Sequence, residues 1–155
     1  MKRVFGPKHD VALRGKYYAT LYGPDGDIKE YREGFNVVTT SGKDWLASFL
    51  SSAAAAAATM TAKYVAIGTD STAEAAADTS LGVETARQTG TVSYVSGGIY
   101  RVTATFAAGT GTGAIVEYGL YTTATAGTLI SRDTEAVINK GAGDTLTTTY
   151  ELTLS

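Results

Sequence analysis

The chain has 155 residues, which corresponds to one ordinary domain that is long enough to bury a hydrophobic core. Hydrophobic residues make up 44% and charged residues 18%, so the chain is too apolar to be disordered and too weakly charged for an isolated helical bundle. It has no cysteine, one histidine and a net charge of −2, which excludes disulfides, thiolate sites and two-histidine sites and argues against general nucleic-acid binding. No apolar run approaches the ~18 residues of a membrane-spanning helix, so we expect no membrane partner.

Residues 1–15 predict an extended N-terminal arm. Five of the 13 basic residues fall within the first sixteen positions, opposed there only by Asp10, and Gly6-Pro7 interrupts any regular element. An extended arm of this length reaches roughly 50 Å, whereas a globule of this size has a radius of gyration of about 15 Å. The arm is therefore long enough to contact a neighbouring molecule, although an ordinary frayed terminus explains the same pattern.

Residues 16–155 predict a single domain built from short strands. A tyrosine-rich strand leads into the turn Gly23-Pro24-Asp25-Gly26 and a returning strand, and the last strand alternates apolar and polar residues most clearly. The predicted strands are residues 16–22, 28–38, 63–67, 91–95, 99–106, 114–121, 127–137 and 146–154. Residues 69–89 lack alternation and predict a long connection. We therefore predict an all-β, jelly-roll-like sandwich of about eight strands, preceded by the arm.

One short helix is predicted near residues 42–52. Ser41 is the expected N-cap, Asp44 follows three residues later, and an apolar stripe continues at helical spacing. The members of this stripe are Trp45, Leu46, Phe49 and Leu50. Such a stripe is typical of a helix that packs on a core. The alanine-rich stretch at 51–61 is compatible with a longer helix or with a loop.

No group of residues in the sequence indicates catalysis or a resident metal. His9 lies in the predicted arm, where nothing would hold it in a catalytic pocket. Glu117 sits in a predicted strand, and a hydrogen-bonded or outward-facing carboxylate explains it better than a catalytic one. The acidic positions Asp70, Glu74 and Asp78 are compatible with Ca²⁺, but a polar loop is the simpler explanation. We therefore predict a protein without enzymatic activity and without a cofactor.

Two groups of residues are candidates for binding another protein. The arm offers basic and aromatic side chains, namely Lys2, Arg3, Phe5, Lys8 and Arg14. The first hairpin offers tyrosines, which are enriched at protein interfaces, namely Tyr17, Tyr18, Tyr22 and Tyr31. Nucleic-acid readout would require basic and aromatic residues interleaved on one face, and an ordinary tyrosine-rich hairpin is the simpler explanation of this pattern.

Several short stretches together form a pattern that is known from small phage structural proteins. They are Gly-Pro-Asp-Gly at 23–26 with Asn-Val-Val-Thr-Thr-Ser-Gly at 36–42, Tyr-Val-Ala-Ile-Gly-Thr at 64–69, Asp-Thr-Ser-Leu-Gly-Val-Glu at 78–84 with Arg87, Glu-Tyr-Gly-Leu-Tyr at 117–121 and Gly-Asp-Thr-Leu at 143–146. On these stretches the chain resembles the capsid decoration proteins of tailed bacteriophages, also called cement or auxiliary proteins. Similar stretches occur in phage tail and fibre proteins.

The resemblance implies a structural virion protein that binds the outer surface of a phage capsid and stabilises it. Its partners would be the major capsid protein, contacted in part by the basic arm, and further copies of itself, often in a trimer. It would be made in the host bacterial cytoplasm and would end on the virion. Two alternatives stay open: a tail, baseplate or fibre component that contacts a host receptor, and a carbohydrate-binding module on a jelly-roll fold.

Overall fold

The computed structural model describes residues 12–51 and 62–155, without the side chain of Ser51. This part of the chain forms ten strands and one helix. In chain order they are β1 (Leu13–Tyr22), β2 (Ile28–Gly34), β3 (Val37–Val38), α1 (Thr40–Ser51), β4 (Tyr64–Gly68), β5 (Glu84–Thr89), β6 (Thr91–Val95), β7 (Ile99–Phe106), β8 (Gly113–Tyr121), β9 (Leu129–Lys140) and β10 (Thr145–Leu154). The prediction of an all-β sandwich with one short helix is confirmed, and the strands number ten rather than about eight.

The strands form two antiparallel sheets of five strands each. Sheet A has the order β2-β1-β10-β7-β6, and sheet B has the order β3-β9-β8-β4-β5. In the centre of sheet A, β1 pairs with β10 from Leu13 opposite Leu154 to Tyr22 opposite Thr145 without a register shift. The β8–β9 pair in sheet B is shifted at two places. Sheet A therefore has the more regular central surface.

The main core lies between the sheets and is built from one side of each strand. In β10, Leu146 and Tyr150 are fully buried and alternate with outward threonines, as the sequence pattern predicts. In β7, Val102 and Phe106 are buried in the same way. Full burial of a large apolar side chain contributes about 1.5–3 kcal/mol, so these inward rows provide most of the driving force for closing the sandwich.

The chain crosses between the sheets near both edges, and one crossing corrects a predicted strand. The predicted strand at 28–38 is divided, because β2 pairs with β1 in sheet A whereas β3 pairs with β9 in sheet B. At the other edge, Gly90 alone joins β5 of sheet B to β6 of sheet A. A Cβ atom at Gly90 would lie 2.5 Å from Cγ1 of Val102, so the chain turns there against the core, where only glycine fits.

Strand β5 was not predicted, because it falls within the expected connection at 69–89. Its sequence, Glu-Thr-Ala-Arg-Gln-Thr, has no apolar alternation, and none of its residues is fully buried. It forms by pairing with β4, which places Ala66 opposite Arg87. The connection proper is therefore residues 69–83.

The helix begins one residue before the predicted cap. Oγ1 of Thr39 accepts a hydrogen bond from the amide of Gly42 at 3.0 Å, so Thr39, rather than Ser41, is the N-cap. Trp45 packs against the core and stacks on Phe49 with ring centroids 5.7 Å apart. Leu50 is 73% exposed, so only part of the predicted apolar stripe reaches the core.

A buried carboxyl group, that of Asp133, lies inside the sandwich near the core tyrosines Tyr17, Tyr118 and Tyr150. Asp133 of β9 is opposite Tyr118 of β8, and the ring of Tyr17 lies 4.6 Å from that of Tyr118. Its Oδ2 atom is buried and has no hydrogen-bond partner among the described residues. Burial, and secondarily the charges of Glu135 and Glu74, raise the pKa of Asp133 to about 7. Asp133 therefore binds its proton more tightly in the folded chain than in the unfolded chain.

This shift predicts that folding stability falls as the pH rises. Between the unfolded pKa of 3.8 and the folded pKa of about 7, the folded chain holds a proton on Asp133 that the unfolded chain has lost. The stabilisation of the folded chain by this proton is therefore complete below about pH 4 and is lost above about pH 7. Asp133→Asn should remove this slope and raise the free energy of unfolding at pH 8 by about 1–3 kcal/mol relative to the wild type.

Urea denaturation between pH 4 and pH 8 measures the effect. Asp27→Asn, in the exposed turn between β1 and β2, is the control for removing a surface carboxylate and should leave the slope unchanged. Equal pH slopes for the Asp133→Asn variant and the wild type would contradict the assignment.

Candidate protein interface

The connection at 69–83 covers part of the outer face of sheet B. Leu81 of this connection packs on Ala66, Tyr121 and Leu129, which form a second, smaller core cluster. The amide of Leu81 also donates a hydrogen bond to the hydroxyl of Tyr121 at 2.8 Å. The connection therefore packs on the sheet of its own molecule.

Glu117 anchors this connection from beneath. Its side chain is fully buried, and Oε1 accepts hydrogen bonds from the amides of Asp70 at 3.1 Å and Val83 at 2.7 Å. Oε2 accepts a hydrogen bond from the amide of Gly82 at 2.9 Å. The two ends of the connection are thus tied to one carboxylate. Of the two non-catalytic arrangements expected for Glu117, hydrogen-bonded or facing solvent, the structure shows the hydrogen-bonded one.

Arg132 balances the charge of Glu117 and extends the anchor. Its guanidinium lies 3.0 Å from Oε2 of Glu117, 3.0 Å from Oδ2 of Asp78 and 3.7 Å from Oδ2 of Asp70. Burial lowers the pKa of Arg132, but its hydrogen bonds to Asp78 and Glu117 outweigh burial and raise that pKa. Two of the acidic residues considered for Ca²⁺ therefore bind an arginine instead.

The outer face of sheet A, in contrast, carries rows of threonine and tyrosine that no described element covers. Each row consists of residues that lie directly opposite one another on neighbouring strands. One row, for example, is Tyr18 of β1, Thr149 of β10 and Thr103 of β7. The hydroxyls of Thr103 and Thr149 are hydrogen-bonded at 3.0 Å. The members of this outer face are Arg14, Lys16, Tyr18, Thr20, Tyr22, Tyr31, Glu33, Thr91, Ser93, Val95, Ile99, Arg101, Thr103, Thr105, Thr145, Thr147, Thr149, Glu151 and Thr153.

Four of the charged residues on this face are paired with one another, whereas the exposed Arg14 has no ion pair among the described residues. Glu151 accepts a hydrogen bond from Nε of Arg101 at 2.7 Å and one from the hydroxyl of Tyr18 at 3.3 Å. Nζ of Lys16 lies 4.8 Å from the centroid of the Tyr18 ring and 3.5 Å from Oε2 of Glu33. The face is therefore polar and aromatic with little unbalanced charge, and the depression around Tyr18 and Glu151 is shallow.

The structure separates the four candidate tyrosines. Tyr18 and Tyr22 lie half-buried on the outer face, and Tyr31 is 49% exposed there. Tyr17 is a correction, because it is fully buried in the core. Since neighbouring residues of a strand point to opposite faces, Tyr17 and Tyr18 could not both face outward.

The predicted arm is only partly within the described chain. Arg14 is a correction to its boundary, because it lies in β1 opposite Thr153 rather than in a free segment. The amide of Ala12 and the carbonyl of Ser155 are hydrogen-bonded at 2.7 Å, which extends the β1–β10 pair by one step. Lys2, Arg3, Phe5 and Lys8 lie outside the described residues, as does His9.

An apolar groove lies beside α1 at the end of sheet A where β1 begins. The groove is lined by Leu13, Leu46, Leu50 and Leu154, and Leu154 is 48% exposed.

In the described ranges no three His, Cys, Asp or Glu side chains are arranged to hold a metal ion. No helix within those ranges is long and apolar enough to cross a bilayer.

Comparisons of this chain with protein-family models, with curated proteins and with solved structures found no match.

The anchor predicts a large loss of stability in Glu117→Gln. Both oxygens of Glu117 accept hydrogen bonds from N–H groups, so the NH₂ group of glutamine would place one hydrogen-bond donor against another, either a backbone N–H or the guanidinium of Arg132. Arg132 would also lose its buried negative partner. We expect the free energy of unfolding to fall by about 3–5 kcal/mol. Urea denaturation at pH 7 measures this loss.

The matched control is Glu33→Gln, which makes the same chemical change on the exposed outer face of sheet A. It should cost at most about 1 kcal/mol. If both variants unfolded at the same urea concentration, Glu117 would not be the anchor of the 69–83 connection.

Proposed function

We propose that this protein is a structural virion component of a tailed bacteriophage, which binds the outer surface of the capsid and stabilises the shell without catalysis. The observation that carries the proposal is the outer face of sheet A. It is a broad, open surface of threonine and tyrosine, which suits contact with another large surface better than enclosure of a small molecule. The nature of the partner comes from the resemblance of the sequence motifs to capsid decoration proteins.

The size of this face supports the proposal. Five strands about 4.8 Å apart, with a mean length of about eight residues, present roughly 600 Å² in projection. A standard specific interface buries about 800 Å² on each partner. The face alone thus approaches the area that specific binding needs, and contacts from the basic arm would add to it.

The chemistry of the face also suits protein contact. Threonine loses little side-chain freedom on contact, because β-branching already restricts it, and tyrosine combines apolar area with a polar hydroxyl. The paired charges, such as Arg101 with Glu151, avoid the desolvation of an isolated ion when the face is covered.

Binding to the assembled shell gives the stabilising mechanism. A protein that binds the closed shell but not its free subunits shifts the equilibrium toward the shell by mass action. Many copies act at once, so modest affinity per copy is sufficient. Residues 1–11 lead into β1, which lies between β2 and β10 in sheet A, so the basic arm is attached to the sheet that carries the proposed contact face.

The proposal predicts that a charge on the outer face prevents docking. Thr105→Lys places a long cation on an exposed position of β7 within the face. We expect its affinity for capsids stripped of the protein to fall at least about tenfold, which corresponds to about 1.4 kcal/mol. Co-sedimentation with such capsids measures the affinity.

Thr112→Lys is the matched control, because it makes the same change at an exposed position outside the face, before β8. It should bind as the wild type does. Equal binding by the two lysine variants would show that the outer face of sheet A is not the contact surface.

The proposal also predicts the abundance of the protein in the virion. A capsid decoration protein should be present in copies comparable in number to the shell subunits. Quantitative mass spectrometry of purified particles measures this ratio. A handful of copies per particle would favour the tail, baseplate or fibre alternative, and absence from particles would overturn the virion assignment.

A further inference from the structure

Three of the four edge strands in the described sheets carry features that prevent pairing with another chain. β2 has four charged residues among its seven, and β3 has only two residues. β5 carries Glu84 and Arg87, which form an ion pair. Charged side chains and very short strands are the usual means by which proteins protect sheet edges.

The fourth edge strand, β6, lacks these features. Its sequence, Thr-Val-Ser-Tyr-Val, contains no charged residue and no proline, and it pairs with β7 without a register shift. It is the outermost strand of sheet A. Val92 is 39% exposed and Tyr94 is 80% exposed, although both lie on the strand side that faces the core. An edge of this kind is a template for another strand.

We propose that β6 pairs antiparallel with β6 of a second copy of this chain, about a two-fold axis at Ser93. This register places Ser93 opposite Ser93 of the second copy and Val92 opposite Tyr94 of the second copy. Sheet A then continues through both copies as a ten-stranded sheet. The proposal goes beyond the proposed function and does not depend on it, because strand pairing lies in the plane of the sheet and leaves its outer face free.

The composition of β6 makes a second copy a fitting occupant. Two symmetric Val92–Tyr94 contacts would cover the two large apolar side chains that are exposed on this edge. Pairs of an aromatic and a β-branched residue stabilise neighbouring strands. Because β6 carries no charge, self-pairing opposes no like charges. An isologous contact of this type closes as a dimer, unlike the trimer implied by the resemblance.

Strand β2 is the competing edge, since its charges alternate in sign and would also match a second copy around Tyr31. Those charges already have partners within the chain. Nζ of Lys29 lies 2.8 Å from Oδ2 of Asp144, and Nη2 of Arg32 lies 2.8 Å from Oε2 of Glu30. Pairing of β2 would have to rearrange these contacts, whereas β6 has none to give up.

Single-cysteine variants test the register, because the chain has no cysteine of its own. In Ser93→Cys the two thiols meet at the axis, and mild oxidation should give a disulfide-linked dimer. In Thr91→Cys the equivalent residues would lie about 14 Å apart, beyond the roughly 7 Å that a disulfide spans. In Tyr31→Cys a crosslink would form only if β2 pairs. We expect the Ser93→Cys variant to crosslink at least about tenfold faster than the other two.

The mass in solution tests the same contact without a crosslink. A strand pair of five residues is a small interface, so we expect a concentration-dependent dimer with a Kd of about 10–100 µM in sedimentation equilibrium. Tyr94→Lys should shift the protein to the monomer. Phe35→Lys, at an equally exposed aromatic residue beyond the far edge of sheet A, should leave the dimer unchanged.

The proposal is overturned by a monomer at all concentrations up to about 500 µM, by a trimer, or by crosslinking of the Thr91→Cys or Tyr31→Cys variant as fast as the Ser93→Cys variant. Failure of the Thr105→Lys variant to lose capsid binding would overturn the proposed function and leave this pairing intact.

Discussion

The buried contact between Glu117 and the connection at 69–83 determines which surfaces of this sandwich are available. The carboxylate of Glu117 accepts hydrogen bonds from three backbone amides at the two ends of the connection. Arg132 balances its charge and also forms ion pairs with Asp70 and Asp78. A buried carboxylate is stable only with such partners, so the connection and the anchor depend on each other. As a result the connection packs over sheet B, and the outer face of sheet A is left as the broad uncovered surface of the described chain.

Much of the fold could be predicted because the central strands are buried on one side only. The alternation in β10 and β7 identified both strands and their inward faces. The same reasoning would have placed Tyr17 correctly, since Tyr17, Ala19 and Leu21 occupy alternate positions and all three are buried. Tyr17 and Tyr18 do not form one group, because a strand presents only every second residue on a given face.

The features that were missed depend on contacts distant in sequence. Glu117 meets amides 34 to 47 residues away, and no local pattern shows that these groups come together. Strand β5 lacks apolar alternation and becomes a strand through its pairing with β4. The division of residues 28–38 between two sheets likewise depends on which strand each half meets.

The proposed roles of sheet A are separated in space. Its outer face would contact a capsid, and its β6 edge would join a second copy within the plane of the sheet. A paired assembly would therefore double the area of one continuous contact surface, which raises avidity for a repetitive shell without new kinds of contact. The anchored connection over sheet B would then face away from the shell.

Electron cryo-microscopy of the intact particle tests this orientation most directly. The account predicts density for the sandwich on the outside of the shell, with the threonine and tyrosine rows of sheet A toward the capsid subunits and residues 69–83 toward solvent. A sandwich that contacts the shell through residues 69–83, or one that lies only in the tail, would contradict it.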